Sequence, residues 1–154
     1  MTEKEMWDAY ITENPNYKNE IYEAWSYGSD TPDLLADLTL KGIKTATASA
    51  YPFYEYEKCD LPKEGLHNLI MNSKNEAVCI IKTTKIRVLP FSQVDARQAY
   101  REGEGDRSLA YWRDVHASVF TQELKEINYD FDEDMLVVCE EFELVYPQNH
   151  NIKR

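Results

Sequence analysis

The sequence predicts one α+β domain in which helices flank a small mixed β-barrel. Three observations carry that expectation. Capped, helix-spaced apolar residues occupy the segment before Gly42 and return between Ser92 and Lys125. Strand-like runs lie near 45–49, 67–71, 77–89 and 135–146. The run from Ala77 to Leu89 is too long to lie flat and is expected to bend around a barrel. A chain of 154 residues can bury a core of its own without disulfides or metal.

Taken in order, Thr2-x-x-Glu5 is a capping-box pattern ahead of Met6, Trp7 and Tyr10, and Asn14-Pro15 stops the helix that it starts. A second helix is expected from about Tyr17 to Tyr27, with Ile21, Ala24 and Trp25 on one side and Gly28 as its stop. Residues 1–28 thus form a helical N-terminal extension. Ser29-Asp30-Thr31-Pro32 opens a third helix, whose Leu34, Leu35 and Leu38 make an apolar stripe ending at Lys41-Gly42. Tyr51–Glu57 is a short helix or an exposed loop, and Asn72–Asn75 is a hairpin turn between two strands. Pro90 ends the long strand, Ser92 is expected to cap a helix running to Arg101, and Asp106 or Ser108 caps the long helix that follows. A closing strand ends at Tyr146, and 147–154 form a frayed polar tail.

Composition limits the function. Lys and Arg total 17 against 28 Asp and Glu, a net charge of -11, which opposes binding to long duplex DNA. A local basic cleft drawn from Lys82, Lys85, Arg87, Arg97, Arg101, Arg107 and Arg113 remains compatible with a small nucleoside or a short single strand. Cys59, Cys79 and Cys139 have no disulfide or metal-ligand spacing and point to a reducing compartment. Cys79 and Cys139 lie in apolar runs and read as core, while Cys59 beside Lys58 is an open candidate for reactivity. No run approaches the roughly 18 apolar residues of a membrane span, so a soluble cytoplasmic protein without a membrane partner is expected. No metal or other cofactor is implied.

Two stretches can gather chemistry. In Gly42-Ile43-Lys44-Thr45-Ala46-Thr47-Ala48-Ser49 the glycine ends a helix and the alternation after it puts Thr45, Thr47 and Ser49 on one strand face. A desolvated lysine beside hydroxyls can serve as a base; the same residues also suit an edge strand with a solvated lysine. The second stretch is Glu102-Gly103-Glu104-Gly105-Asp106-Arg107-Ser108, where glycines allow close approach and the side chains supply carboxylates and donors, or simply cap a helix. Tyr51, Tyr54 and Tyr56 can stack on a base or form a small core cluster. His116 has no matching ligand partner and reads as structural or surface.

Gly42-x-Lys44-x-x-Thr47, the Glu102–Trp112 stretch and the closing Met135–Cys139 strand together resemble the ASCH domain family over about Trp25 to Tyr146. The resemblance implies a PUA-like β-barrel and an association with RNA binding and processing. It also implies an amidohydrolase set known in short bacterial members that deacetylate N4-acetylcytidine. Carried over by motif, Lys44 is the base, Thr47 the nucleophile or water holder and Glu102 the positioning carboxylate, with Glu104 as the other match. Thr45, Ser49, Tyr54, Glu104, Arg107 and Ser108 are the expected substrate-binding residues. The helical N-terminus and a longer insertion before the acidic loop set this chain apart from the compact hydrolases. Three classes stay open: a hydrolase of an acylated nucleoside, a non-catalytic RNA-binding module, and a single-stranded RNA ribonuclease, the one class in which a divalent ion held by the acidic loop could help.

Overall fold

The computed structural model describes residues 1–148; the tail expected to fray lies, from residue 149 onward, outside the described residues. Five strands make one sheet in the order β1-β3-β4-β5-β2, with β1 (Tyr22–Trp25), β2 (Ala46–Ala50), β3 (His67–Met71), β4 (Ala77–Pro90) and β5 (Leu136–Tyr146). Among the described residues only the β1–β3 pair is parallel. Helices α1 (Glu3–Glu13), α2 (Pro32–Leu40), α3 (Tyr51–Glu57), α4 (Ala96–Glu102) and α5 (Leu109–Leu124) cover it. None of them is long and apolar enough to cross a membrane.

The sheet is not closed into a barrel, which corrects the sequence expectation. β4 does bend, through register irregularities against β5 between Ile80 and Ile81 and between Thr83 and Lys85. α4 is tied to β2 at the strand's start. Gln98 Nε2 donates to the Thr47 carbonyl, and the Thr45 N–H donates to the Arg101 carbonyl at 2.6 Å.

The expected helix over 17–27 is absent. A single 3-10 turn at Pro15–Tyr17 leads instead into β1, which pairs Tyr22 with His67 and Trp25 with Ile70. The apolar spacing fits a helix, but alternation describes the same residues better: Tyr22 and Ala24 pack toward α1, whereas Trp25 packs toward α2. Ile21, assigned to the apolar side of the expected helix, is 82% exposed. Pairing with β3 and the strand preference of Tyr and Trp override the helical reading. Only the first part of the N-terminal extension is helical. Another correction concerns Ser92: Phe91–Gln93 form a 3-10 turn, and Asp95 caps α4 by accepting from the Gln98 N–H.

Three apolar clusters hold the layers together. Trp7, Met6 and Tyr10 of α1 pack on Leu69, Met71 and Ile80, and the Tyr10 hydroxyl meets Nε2 of the fully buried His67 at 2.9 Å. On the opposite face α2 places Leu35 and Ala36 over Ile70, Cys79, Ile81 and Phe142. α5 contributes Trp112, Phe120 and Leu124 to a cluster with Phe91, Val137 and Cys139. Burial pushes the Cys79 and Cys139 thiols up to about 12, as suits packing residues, whereas Cys59 is exposed. We predict that Trp7→Ala lowers unfolding free energy by about 3–5 kcal/mol, whereas Ile21→Ala changes it by no more than about 0.5 kcal/mol. Urea denaturation measures both, and equal losses would contradict the strand assignment of β1.

A candidate active site around Lys44

The backbone brings Lys44 to its position before any side chain is considered. Gly42 adopts φ 76°, and the N–H groups of Ile43 and Lys44 both donate to the Leu38 carbonyl at 3.0 Å, closing the end of α2. The chain then turns directly into β2. Lys44 is 2% exposed, and its Nζ donates to Glu104 Oε2 at 2.7 Å, Glu102 Oε1 at 3.4 Å and the Glu102 carbonyl at 3.3 Å. The ring of Tyr27 lies 5.3 Å from the same nitrogen. A lysine buried this deeply needs such partners, because an unpaired ammonium in the interior is unfavourable by several kcal/mol.

Glu102 is the centre of the network. Its Oε2 accepts from Trp112 Nε1 at 2.7 Å and Gln98 Nε2 at 2.9 Å, while Oε1 lies 3.4 Å from both Lys44 Nζ and His116 Nε2. Burial alone would raise this carboxyl, but the charges of Lys44 and His116 and the donors around it outweigh burial and lower it to about 2. For His116 burial acts downward, and the Glu102 carboxylate reverses it, so the net shift is upward. Its Nδ1 lies 2.9 Å from the Trp112 carbonyl, which can only accept, so Nδ1 keeps its proton and Nε2 is the nitrogen that titrates. The imidazole stacks on Trp112 with centroids 4.1 Å apart.

The glycine loop fixes Glu104. A Cβ on Gly103 would meet the Ile43 carbonyl oxygen at 2.9 Å, and one on Gly105 would meet the Tyr111 ring at 2.4 Å. Both glycines have positive φ, so the loop that carries Glu104 can pack against Ile43 and Tyr111 only without side chains at those two positions. Ser108 caps α5 by accepting from the Tyr111 N–H, and it lines a small cleft with Glu104, Tyr111 and His116.

The structure therefore brings together Lys44, Glu102 and Glu104. Thr47 joins through its backbone: Gln98 Nε2 reaches both the Thr47 carbonyl and Glu102, whereas the Thr47 hydroxyl makes no hydrogen bond among the described residues. Ser49 and Tyr54 bond each other at 2.8 Å along the same strand face. Thr45 and Arg107 lie elsewhere. Thr45 Oγ1 donates to the Arg101 carbonyl at 3.4 Å, and Arg107 donates to the carbonyls of Tyr100 and Ile43 with its guanidinium 3.7 Å from the Tyr100 ring centroid.

Sequence reasoning missed His116 and Gln98 as members, and it treated Trp112 only as core. A signal was present, since Gln98/Glu102 and Trp112/His116 are each one helical turn apart. It also missed Glu140, which stands opposite Thr47 in the β2–β5 register and therefore shares its face. A row of donors converges on that carboxyl: Trp25 Nε1 donates to Asn68 Oδ1, Asn68 Nδ2 to Thr83 Oγ1, and Thr83 Oγ1 to Glu140. Burial raises the Glu140 carboxyl, with the Thr83 bond acting against it. Among the described residues no group of three or more His, Cys, Asp or Glu is arranged to hold a metal ion.

Comparison with known proteins agrees with this fold. The family model described as the ASCH domain matches residues 23–146. The crystal structure of an ASCH domain from Lactobacillus crispatus JV V101 is 31% identical, with 93% of each chain covered and a TM-score of 0.87. A protein from Enterococcus faecalis V583 is 30% identical over 93% of this chain and 89% of its own, with a TM-score of 0.83. A hypothetical protein at 16% identity, with a TM-score of 0.52 over 80% of this chain and 97% of its own, shares the fold alone. No curated protein matches the chain at a significant level. A match over most of the sequence, two similar solved structures and a PUA-like mixed sheet lead to one assignment: the chain belongs to the ASCH domain family.

Proposed function

We propose that the protein binds a nucleoside, free or within a short RNA, on the sheet face that carries Thr47, and hydrolyses an acyl amide on its base. The observation that carries this reading is a fully buried Lys44 held between two carboxylates, three residues before a threonine whose hydroxyl is unbonded among the described residues. In the resting arrangement the Lys44 amine is a donor, not a base. Glu104 is the partner that can change this, because its side chain is 22% exposed whereas that of Glu102 is 3% exposed.

In the proposed reaction an entering amide displaces Glu104, which takes a proton from Lys44 as it leaves and gives it back when it returns after product release. The neutral amine then accepts a proton from the Thr47 hydroxyl or from a water that Thr47 holds, and the resulting oxygen adds to the amide carbon. Collapse breaks the carbon–nitrogen bond and returns the Lys44 proton to the departing base nitrogen. Attack by water releases the carboxylic acid directly; attack by Thr47 leaves an ester that a second water cleaves. Glu102 keeps Lys44 in place throughout, and the Glu140 carboxyl, raised by burial, can offer either a proton or a lone pair to the polar edge of the base.

Hydrolysis of N4-acetylcytidine followed by chromatography tests this reading. Folded wild-type protein is expected to release acetate, and Thr47→Ala to lower kcat by at least about 100-fold. Lys44→Ala should do the same, although leaving Glu102 and Glu104 uncompensated destabilises the fold by about 3–5 kcal/mol, so its folded fraction must be measured alongside. Absence of turnover by folded wild-type protein would sink the hydrolase reading and leave nucleoside or RNA binding.

The network also predicts a pH signature. Glu102 titrates below its ordinary 4.5, so its stabilisation is complete above that value and is lost as the pH falls toward 2. His116 titrates above its ordinary 6.5, so its share is complete below 6.5 and is lost as the pH rises through the shifted value. Glu102→Gln should therefore lower the urea midpoint most between 4.5 and 6.5 and less on either side. A midpoint difference that is flat with pH would refute the coupling.

A further inference from the structure

Outside the Lys44 network, a surface groove of about 520 Å³ runs past Ile43, Thr45, Arg97, Tyr100, Arg101 and Arg107. Its charge is unbalanced. Arg97 grips Glu141 with two bonds of 3.0 Å, and Arg101 Nε lies 3.5 Å from the same carboxylate. Arg107 has no acidic partner among the described residues; its Nε and Nη2 donate to backbone carbonyls. Three guanidiniums thus face one carboxylate in a chain whose net charge is -11. The terminal nitrogens of Arg101, and Nη1 of both Arg97 and Arg107, donate to nothing among the described residues.

We propose that this groove is a phosphate-binding subsite. Arginine forks with unused N–H groups suit multi-oxygen anions. A carboxylate offers two oxygens in one plane, whereas a phosphate offers oxygens in three directions, matching donors that arrive from α4 and from the Arg107 loop. The groove also shares its wall with the Lys44 site. Thr45, which lines it, donates both its N–H and its Oγ1 to the Arg101 carbonyl, and Thr47 lies two residues further along β2. A phosphate held here would belong to a ligand whose nucleoside lies on the Thr47 face; that link rests on the function proposed above, whereas phosphate capture does not. The ligand class is a nucleoside phosphate, either a mononucleotide or a unit of a short single strand. The acidic remainder of the surface selects against long polyanions.

The test is binding of cytidine, cytidine 5′-monophosphate and single-stranded hexacytidylate to wild-type protein, Arg101→Gln and Arg97→Gln, each checked for folding by thermal melting. Using two arginine variants keeps the test valid if one fails to fold. Wild-type protein is expected to bind the phosphorylated ligands more tightly than cytidine. Arg101→Gln should weaken the phosphorylated ligands about 5–10-fold, leave cytidine unchanged, and lower the salt slope for hexacytidylate by about 0.7. A hexamer far tighter than the monophosphate identifies a strand as the source, and equal affinities identify a mononucleotide. Unchanged affinities and slope in both variants, equal weakening of all three ligands, or no phosphate-dependent gain in the wild type would each overturn the proposal. N4-acetylcytidine turnover separates the two ideas: lost turnover with arginine-dependent binding fails only the hydrolase, and retained turnover without that dependence fails only the groove.

Discussion

A buried ammonium that must not go unpaired organises this fold. Lys44 enters the interior directly from the end of α2, and the groups that compensate it come from α4 and the loop after it. Glu102 in turn takes its other donors from Trp112 of α5 and Gln98 of α4. One charge therefore fixes how two helices and a glycine loop sit against the edge of the sheet. A well-packed apolar replacement can equal or exceed a buried ion pair in stability, so stability alone does not account for placing charges here. The network adjoins β2, whose Thr47 carbonyl it engages through Gln98.

The same helix that supplies Glu102 is also tied to β2. Gln98 serves two roles through one amide nitrogen, bonding the Thr47 carbonyl and holding Glu102. Helix docking and assembly of the Lys44 network are thus a single arrangement, and Glu140 stands opposite Thr47 on the neighbouring strand.

Local signals were legible in the sequence wherever a short-range rule governs the outcome. The capping box at Thr2 and Glu5, the glycine stop at Gly42 and the hairpin around Asn72–Asn75 all depend on neighbours within a few residues. Lys44 and Glu102 stood out because each lies beside glycines in an unusual local pattern, yet their separation of 3.4 Å depends on where α4 packs. β1 was misread because Tyr22–Trp25 fits two periodicities over so few residues, and the deciding partner, β3, is more than forty positions away. His116 and Glu140 were passed over for a related reason. Each becomes notable only when a helix turn or a cross-strand neighbour places it beside another polar group.

The parallel pairing of β1 with β3 has a consequence for how the chain folds. β3 and β4 join through a short hairpin, whereas β1 reaches β3 across α2, β2 and α3, and β5 reaches β4 across α4 and α5. Closing those long loops costs entropy that no local contact offsets, so β1 and β5 are both expected to dock after the β3–β4 hairpin has formed. α1 packs on Leu69 and Met71 of β3 and so follows the same schedule. Trp7 and Tyr10 of α1 must therefore remain solvent-tolerant until β3 is in place.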